Sequence, residues 1–275
     1  MREFDLLVSK LKEAKAPVIY GLGGISMEEQ RAAVRLGKKL GAVVSVERLL
    51  MPTVTEAALN GCELLLYAGG ELPFKVNDSV KTVRDDRLLN ADAWRMLCSL
   101  FRGNKLEGAD EFTALYEDMK NAADTAVVLV ADKISEEFRR TVSRFVCEGC
   151  RVGIMQITSA QNALGAYEVM LEEAGGASAW FGEKTQAGCE FAVENLPAGA
   201  CDFVLRIGQG QDICAGDAPR FAIAPNAYDG ECLIKAVSHG GTALRFDGVP
   251  QDVAAEDGEG DVLDMLTRLM KEVEA

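Results

Sequence analysis

Pro17-Val18-Ile19-Tyr20-Gly21-Leu22-Gly23-Gly24-Ile25-Ser26-Met27-Glu28-Glu29 decides the fold: a strand, a glycine turn and the start of a helix. The short apolar run Pro17–Tyr20 reads as a buried strand. Ser26 with Glu29 three residues on has capping-box spacing. Ala32, Ala33, Leu36 and Leu40 then carry the apolar stripe of the helix. Ala42-Val43-Val44-Ser45-Val46 predicts the next strand. Strand, helix and strand in that order are the signature of a parallel α/β sheet.

The alternation holds along most of the chain. Leu6–Ala14 is predicted as a helix with Leu6, Leu7 and Leu11 on one face, and Glu63–Ala68 as a strand ending in Gly69-Gly70. Ala93, Trp94, Leu97, Leu100 and Phe101 give helical spacing between Asn90 and Leu106, with Gly103 as a stop. Glu111–Asn121 and Ser135–Val146 read as helices around the strand Ala126–Val130. Arg151–Ile157 is a strand, Gly165–Ala174 a helix, and Gly175–Glu190 a loop. Cys201–Ile207 and Arg220–Ala224 are strands, and Asp261–Val273 is a final amphipathic helix. Two Rossmann-like units of parallel sheet fit 275 residues. The expected partition is 1–82 with 191–275 as a discontinuous first unit, and 83–190 as a smaller second one. Ligands of such sheets bind beyond the carboxyl ends of the strands. Gly21–Gly24 and Gly69-Gly70 are therefore the expected places for one.

Composition excludes several classes of function. Hydrophobic residues make up 48% and charged residues 26%, an ordinary globular balance. Net charge is −14, from 43 acidic and 29 basic residues. That field repels phosphate backbones and argues against a nucleic-acid partner. No apolar run is long enough to span a membrane, and Met1–Asp5 leads into a helix without the apolar core of a signal peptide. A cytoplasmic address is expected. The eight cysteines suit a reducing compartment, and Cys62, Cys98 and Cys232 lie in apolar contexts that favour burial.

The local motifs are modest. Gly21-Leu22-Gly23-Gly24, with Glu47 ending the next strand, invites a dinucleotide reading but lacks the third glycine of G-x-G-x-x-G. Cys147-Glu148-Gly149-Cys150 closes a helix and has no second ligand pair, which reads as structural. His239, the single histidine, lies in a glycine turn with no nucleophile nearby in sequence, and reads as a polar turn residue. Glu28 is expected to pair with Arg31 along its helix. In Gly240-Gly241-Thr242-Ala243-Leu244-Arg245-Phe246-Asp247-Gly248-Val249-Pro250, the paired glycines allow close backbone approach. Arg245 and Asp247 suit a hydrogen-bonded turn.

That last run resembles the G-T-x-x-R-x-D-G-V-P motif of the molybdopterin-binding subunit of formylmethanofuran dehydrogenases, within the molybdopterin oxidoreductase superfamily. Ala16–Gly23 is similar to the family's P-x-I-Y-G strand and turn, and Gln30–Ala33 and Leu40–Val44 continue the likeness. Leu64–Pro73 resembles its strand ending W-G-x-N-P, Leu97–Leu106 a helix before R-G-K-x-L, and Asn162-Ala163-Leu164-Gly165 an N-x-x-G turn. The likeness covers nearly the whole chain. It implies a molybdopterin guanine dinucleotide held by Gly21, Gly23, Gly69, Asn162, Gly165, Gly241, Thr242, Arg245 and Asp247.

Departures from the family pattern point the other way. The family's four-cysteine iron–sulfur site precedes its first strand, whereas the first cysteine here is Cys62. Its C-H-G-P segment, which ligates molybdenum or tungsten, falls on Leu49-Leu50-Met51-Pro52. Leucine has no donor atom for a soft metal. Thr158 and Ser159 stand where the family has arginine and glycine, and Glu71 enters the W-G-x-N-P turn. The chain is also short for the family. The resemblance with these losses implies a catalytically silent relative, with no metal, no cluster and no cofactor expected. It would serve as a structural or assembly subunit in formyl metabolism, as in formyl-transferring complexes of some methylotrophs whose corresponding subunit holds no metal. Expected partners are other subunits of such a complex or copies of itself. The alternatives are an oxidoreductase subunit that still binds the pterin dinucleotide, and a nucleotide or small-molecule binder at the strand-end crevice.

Overall fold

The computed structural model describes residues 3–50, 54–104, 106–147, 152–208, 217–225, 232–253, 258 and 260–274. The chain forms two units, Met1–Arg48 with Ala160–Ala275, and Leu49–Ser159. In the first, α1 (Glu3–Glu13) buries Phe4, Leu7 and Leu11, which share one helix face. β1 (Pro17–Tyr20) is buried throughout. α2 (Met27–Leu40) begins on the predicted capping box and ends at Gly41, whose φ of 63° is left-handed. β2 (Val43–Ser45) follows.

The second unit is built from α3 (Glu56–Leu59), β3 (Leu64–Gly69), β4 (Lys81–Arg84), α4 (Ala91–Phe101), α5 (Thr113–Asn121), β5 (Thr125–Val130), α6 (Glu136–Cys147) and β6 (Val152–Ile157). The chain then returns to the first unit through α7 (Ala163–Ala174), β7 (Ser178–Phe181), β8 (Thr185–Ala187), β9 (Phe203–Ile207), β10 (Arg220–Ala224), β11 (Cys232–Lys235), β12 (Thr242–Leu244), β13 (Pro250–Asp252) and α8 (Val262–Glu274).

The first unit's sheet has the order β11-β10-β9-β1-β2-β7-β8. It is parallel from β11 to β2, and β7 and β8 add antiparallel at one edge. The second unit's sheet, β4-β3-β5-β6, is parallel throughout. β12 and β13 form a separate antiparallel hairpin. The expected α/β class is therefore present in both units. Each unit has its own core: Ile19, Leu36, Val44, Phe203 and Leu266 belong to the first, and Leu66, Trp94, Val127 and Phe145 to the second. Among the described residues no helix is long and apolar enough to cross a membrane.

Three expectations change. Gly175–Glu190 is not a loop: β7 buries Ala179 and Phe181 and pairs with β2. Four residues flanked by glycines are too short a run to show their period. The boundaries at 82/83 and 190/191 move to 48/49 and 159/160, because β3 pairs with β5 while α7 and β7 pack on the first core. Apolar runs announce strands but do not say which sheet receives them. Arg31 bonds Glu172, at 3.1 Å, and Glu28 is engaged elsewhere. Cys150 and the Cys147 side chain lie outside the described residues, as do Met51 and Pro52.

Candidate functional site

β1 delivers the chain into a left-handed Gly21 (φ 86°) and a short 3-10 turn, Leu22–Gly24. A Cβ at Gly21 would lie 2.9 Å from the Cγ of Arg206, a fully buried arginine on β9. One at Gly23 would lie 3.0 Å from the Ala160 Cβ. The glycines are thus explained by neighbours within the chain.

Asn162 and Gln30 hold this turn in place, and both are buried. Asn162 N donates to Gly23 O at 2.8 Å and its Nδ2 to Ile25 O at 2.7 Å, while its Oδ1 accepts from Leu244 N at 2.8 Å. Gln30 Nε2 lies 3.0 Å from Leu22 O, 2.9 Å from Ile25 O and 3.2 Å from Asn162 O. A Cβ at Gly165 would fall 2.0 Å from Asn162 Oδ1, so this glycine makes room for the amide. The N-x-x-G turn is an internal brace between the β1 turn, α7 and the hairpin.

The G-T segment approaches α2 closely, as its glycines suggest. Gly241 has φ 123°, and a Cβ there would be 2.7 Å from the Ser26 Cβ. Thr242 N donates to Glu28 Oε2 at 2.9 Å. Burial is the largest single influence on Glu28 and opposes its ionisation, but hydrogen bonds from Thr242 and its own backbone, with Arg31 nearby, together hold the carboxyl below its ordinary range. In the turn joining β12 to β13, Arg245 grips Asp247 with two bonds, Nε to Oδ1 at 2.9 Å and Nη2 to Oδ2 at 2.5 Å. His239 is exposed with Nε2 3.2 Å from Gly260 O, the place of a polar turn residue.

Sequence reasoning gave the second acid of this corner, Glu29, only a capping role and missed its bond to Ser238. Glu29 is 2% exposed and its Oε2 accepts from Ser26 N, Ser26 Oγ and Ser238 Oγ at 2.7, 2.8 and 2.7 Å. The capping box predicted the first of these; nothing local points to Ser238. Burial pushes the Glu29 pKa above the ordinary 4.5, against the hydrogen bonds from Ser238 and Ser26, which favour the anion. The folded protein thus holds this proton more tightly than the unfolded chain. Its contribution is fully present below pH 4.5 and is lost as pH rises through the raised value. Urea unfolding of wild type and Glu29→Gln across the acid-to-neutral range checks this. The wild-type stability minus that of the variant should fall as pH rises; a pH-independent difference would show that Glu29 titrates as in open chain.

The last predicted residue, Gly69, belongs to the second unit and ends β3 with φ 90°. Its N–H donates to Asp86 Oδ1 at 2.9 Å, and its carbonyl accepts from Arg84 Nη2 at 2.7 Å. Arg84 in turn bonds Glu71 and Asp86. The Gly69 N–H, with Arg84 beside it, keeps Asp86 below the usual carboxylate range. In the same unit Leu49 and Leu50 are buried, and Leu50 N donates to Gln156 Oε1 at 3.2 Å. Ser159 N donates to Asp132 Oδ1 at 2.6 Å.

Several backbone donors at or beside the predicted turns are already filled. The N–H groups of Ser26, Thr242, Val249 and Gly69 each meet a carboxylate of this chain, and that of Leu244 meets the Asn162 amide. These are the groups that an anionic ligand would use at a helix start or strand end. The residues present do not fit a pterin dinucleotide or its metal. Its phosphates would meet carboxylates such as Glu28 and Asp86, and the buried Leu49 and Leu50, which the resemblance sets against the metal-binding segment, offer no donor atom.

The fold matches a chain of a formyl-group enzyme complex. That chain is from the crystal structure of the formyltransferase/hydrolase complex of Methylorubrum extorquens with methylofuran, superposing with a TM-score of 0.70. The two chains are 18% identical, over 99% of this chain and 95% of that one. At this identity the likeness is one of fold. No family model matches the sequence. No curated protein matches it either.

Proposed function

We propose that this chain is a non-catalytic subunit of a formyl-group-handling complex in one-carbon metabolism, a silent relative of the molybdopterin-binding subunit of formylmethanofuran dehydrogenases. One observation carries the reading: the chain's own carboxylates occupy the backbone N–H groups of Thr242 and Gly69, two of the residues that the resemblance assigns to the cofactor. A phosphate charge brought to about 4 Å from the Glu28 carboxylate would be opposed by roughly 4 kcal/mol at a protein-surface dielectric. A hydrogen bond to a charged group returns only about 1.5–3 kcal/mol. Repulsion wins unless Glu28 withdraws, and the same holds separately for Asp86 in the second unit. Buried Leu49 and Leu50 argue in the same direction, since neither side chain can donate to molybdenum or tungsten.

The fold likeness supports the setting. The similar chain belongs to a multi-subunit formyltransferase/hydrolase complex, and its length and this one nearly coincide. On this reading the Rossmann-like units persist as rigid bodies for partner chains, and the former cofactor corner is fastened by side chains. Anaerobic purification from the native host through a tag on this chain tests the proposal. Partner chains should copurify in fixed ratio, and molybdenum, tungsten and pterin should be missing. A chain that comes alone, carrying pterin, would overturn it.

A further inference from the structure

We propose that a groove between α4 and α6, in the second unit, binds a small oligoanion through arginine forks. The groove has a volume of about 670 Å³, the size range of small-ligand sites. Arg95 and Arg102, one face apart by seven residues, line its α4 side, and Arg140 and Arg144, four apart, line its α6 side. Glu136 and Glu137 are the acidic residues among the lining groups. Four guanidinium charges against two carboxylates leave the groove positive on a chain whose net charge is −14. Both helices are seated by Trp94, Phe101, Phe138 and Phe145 below and linked by Arg95 with Glu137, so the packing does not call for the further arginines.

The arginines are available in different degrees. Arg95 bonds Asp92 and Glu137, and Arg140 Nε bonds Glu136 Oε1 at 3.2 Å. These pairs are exposed, with the Arg140 side chain 73% open to solvent. Exposed ion pairs are weak and exchange readily, so a ligand with several charges competes well for them. Arg144 is exposed and makes no ion pair among the described residues. Planar guanidinium forks suit carboxylate and phosphate alike. Among the described residues no aromatic side chain lines the groove, so they offer no surface on which to stack a base. The ligand chemistry is therefore a compact, non-aromatic molecule carrying two or more carboxylates or phosphates. The site shares no residue with the Asn162 corner and does not depend on the silent-subunit reading.

Calorimetric titration of the full chain at low ionic strength tests it, with citrate and tripolyphosphate as probes. One-site binding is expected for at least one of them, weakened by about tenfold or more in Arg140→Ala/Arg144→Ala, and weakened by added salt. The two arginines are exposed, so the melting temperature should not change, and Arg140→Lys/Arg144→Lys should retain part of the affinity. Tighter citrate would assign a carboxylate ligand and tighter tripolyphosphate a phosphate one. Failure of both probes to bind, or binding equal in wild type and the double alanine variant, would overturn the proposal.

Discussion

An Asn162→Ala protein should be about 2–3 kcal/mol less stable than wild type in denaturant unfolding. The magnitude follows from the groups that the amide leaves behind. Leu244 N loses its acceptor, Asn162 Oδ1, and an orphaned donor costs about 1–3 kcal/mol. Ile25 O loses the Nδ2 donor but keeps Gln30 Nε2 at 2.9 Å, so its share is smaller. The vacated volume beside Gly165 adds a packing loss. A residue kept for gripping a ligand would behave otherwise: removing it would leave the unliganded protein within about 0.5 kcal/mol of wild type. The experiment therefore separates brace from ligand contact, and a change that small would refute the brace.

Trp94→Ala should do more damage, about 3–5 kcal/mol, the usual range for removing a large aromatic from a core. Trp94 is fully buried in the second unit and donates Nε1–H to Leu88 O at 2.8 Å. Its ring meets Phe145 edge-on at 5.1 Å and Phe138 at 6.4 Å, which fixes α4 against α6. Alanine would leave a cavity beneath these helices and an unpaired carbonyl at Leu88. Far-UV circular dichroism with urea reads the total loss. Hydrogen exchange should place it in β3 and β5, whose amides should exchange faster than in wild type. A loss under about 1 kcal/mol would mean that this aromatic cluster does not hold the second unit together.

Local patterns were the legible part of this chain. The stretch Pro17–Glu29 declares strand, turn and capped helix because each signal lies within a few residues of the next, and the structure has all three. Placement was harder to read. β7 has only four residues, so its alternation was lost among flanking glycines, and β3 was expected in the first unit although its partners, β4 and β5, lie in the second. The site divides in the same way. Gly21, Gly23, Asn162, Gly165, Gly241 and Thr242 do gather in one corner, yet their positions alone could not tell a cradle from a clasp. That distinction rests on Glu28 meeting Thr242 and Glu29 meeting Ser238 across more than two hundred residues of chain. No spacing rule reaches that far. A turn whose backbone would bind a phosphate can instead be fastened by a carboxylate, and only the folded geometry shows which.

The most direct measurement is pterin and metal content per polypeptide, taken on anaerobically purified protein with its partner chains retained. Denaturation in an oxidant should release no fluorescent pterin, and mass spectrometry of the metals should find molybdenum and tungsten far below one atom per chain. A stoichiometric pterin with either metal would contradict the account, because it would mean that the carboxylates bonded to the turn donors, such as Glu28 on Thr242, give way to a cofactor.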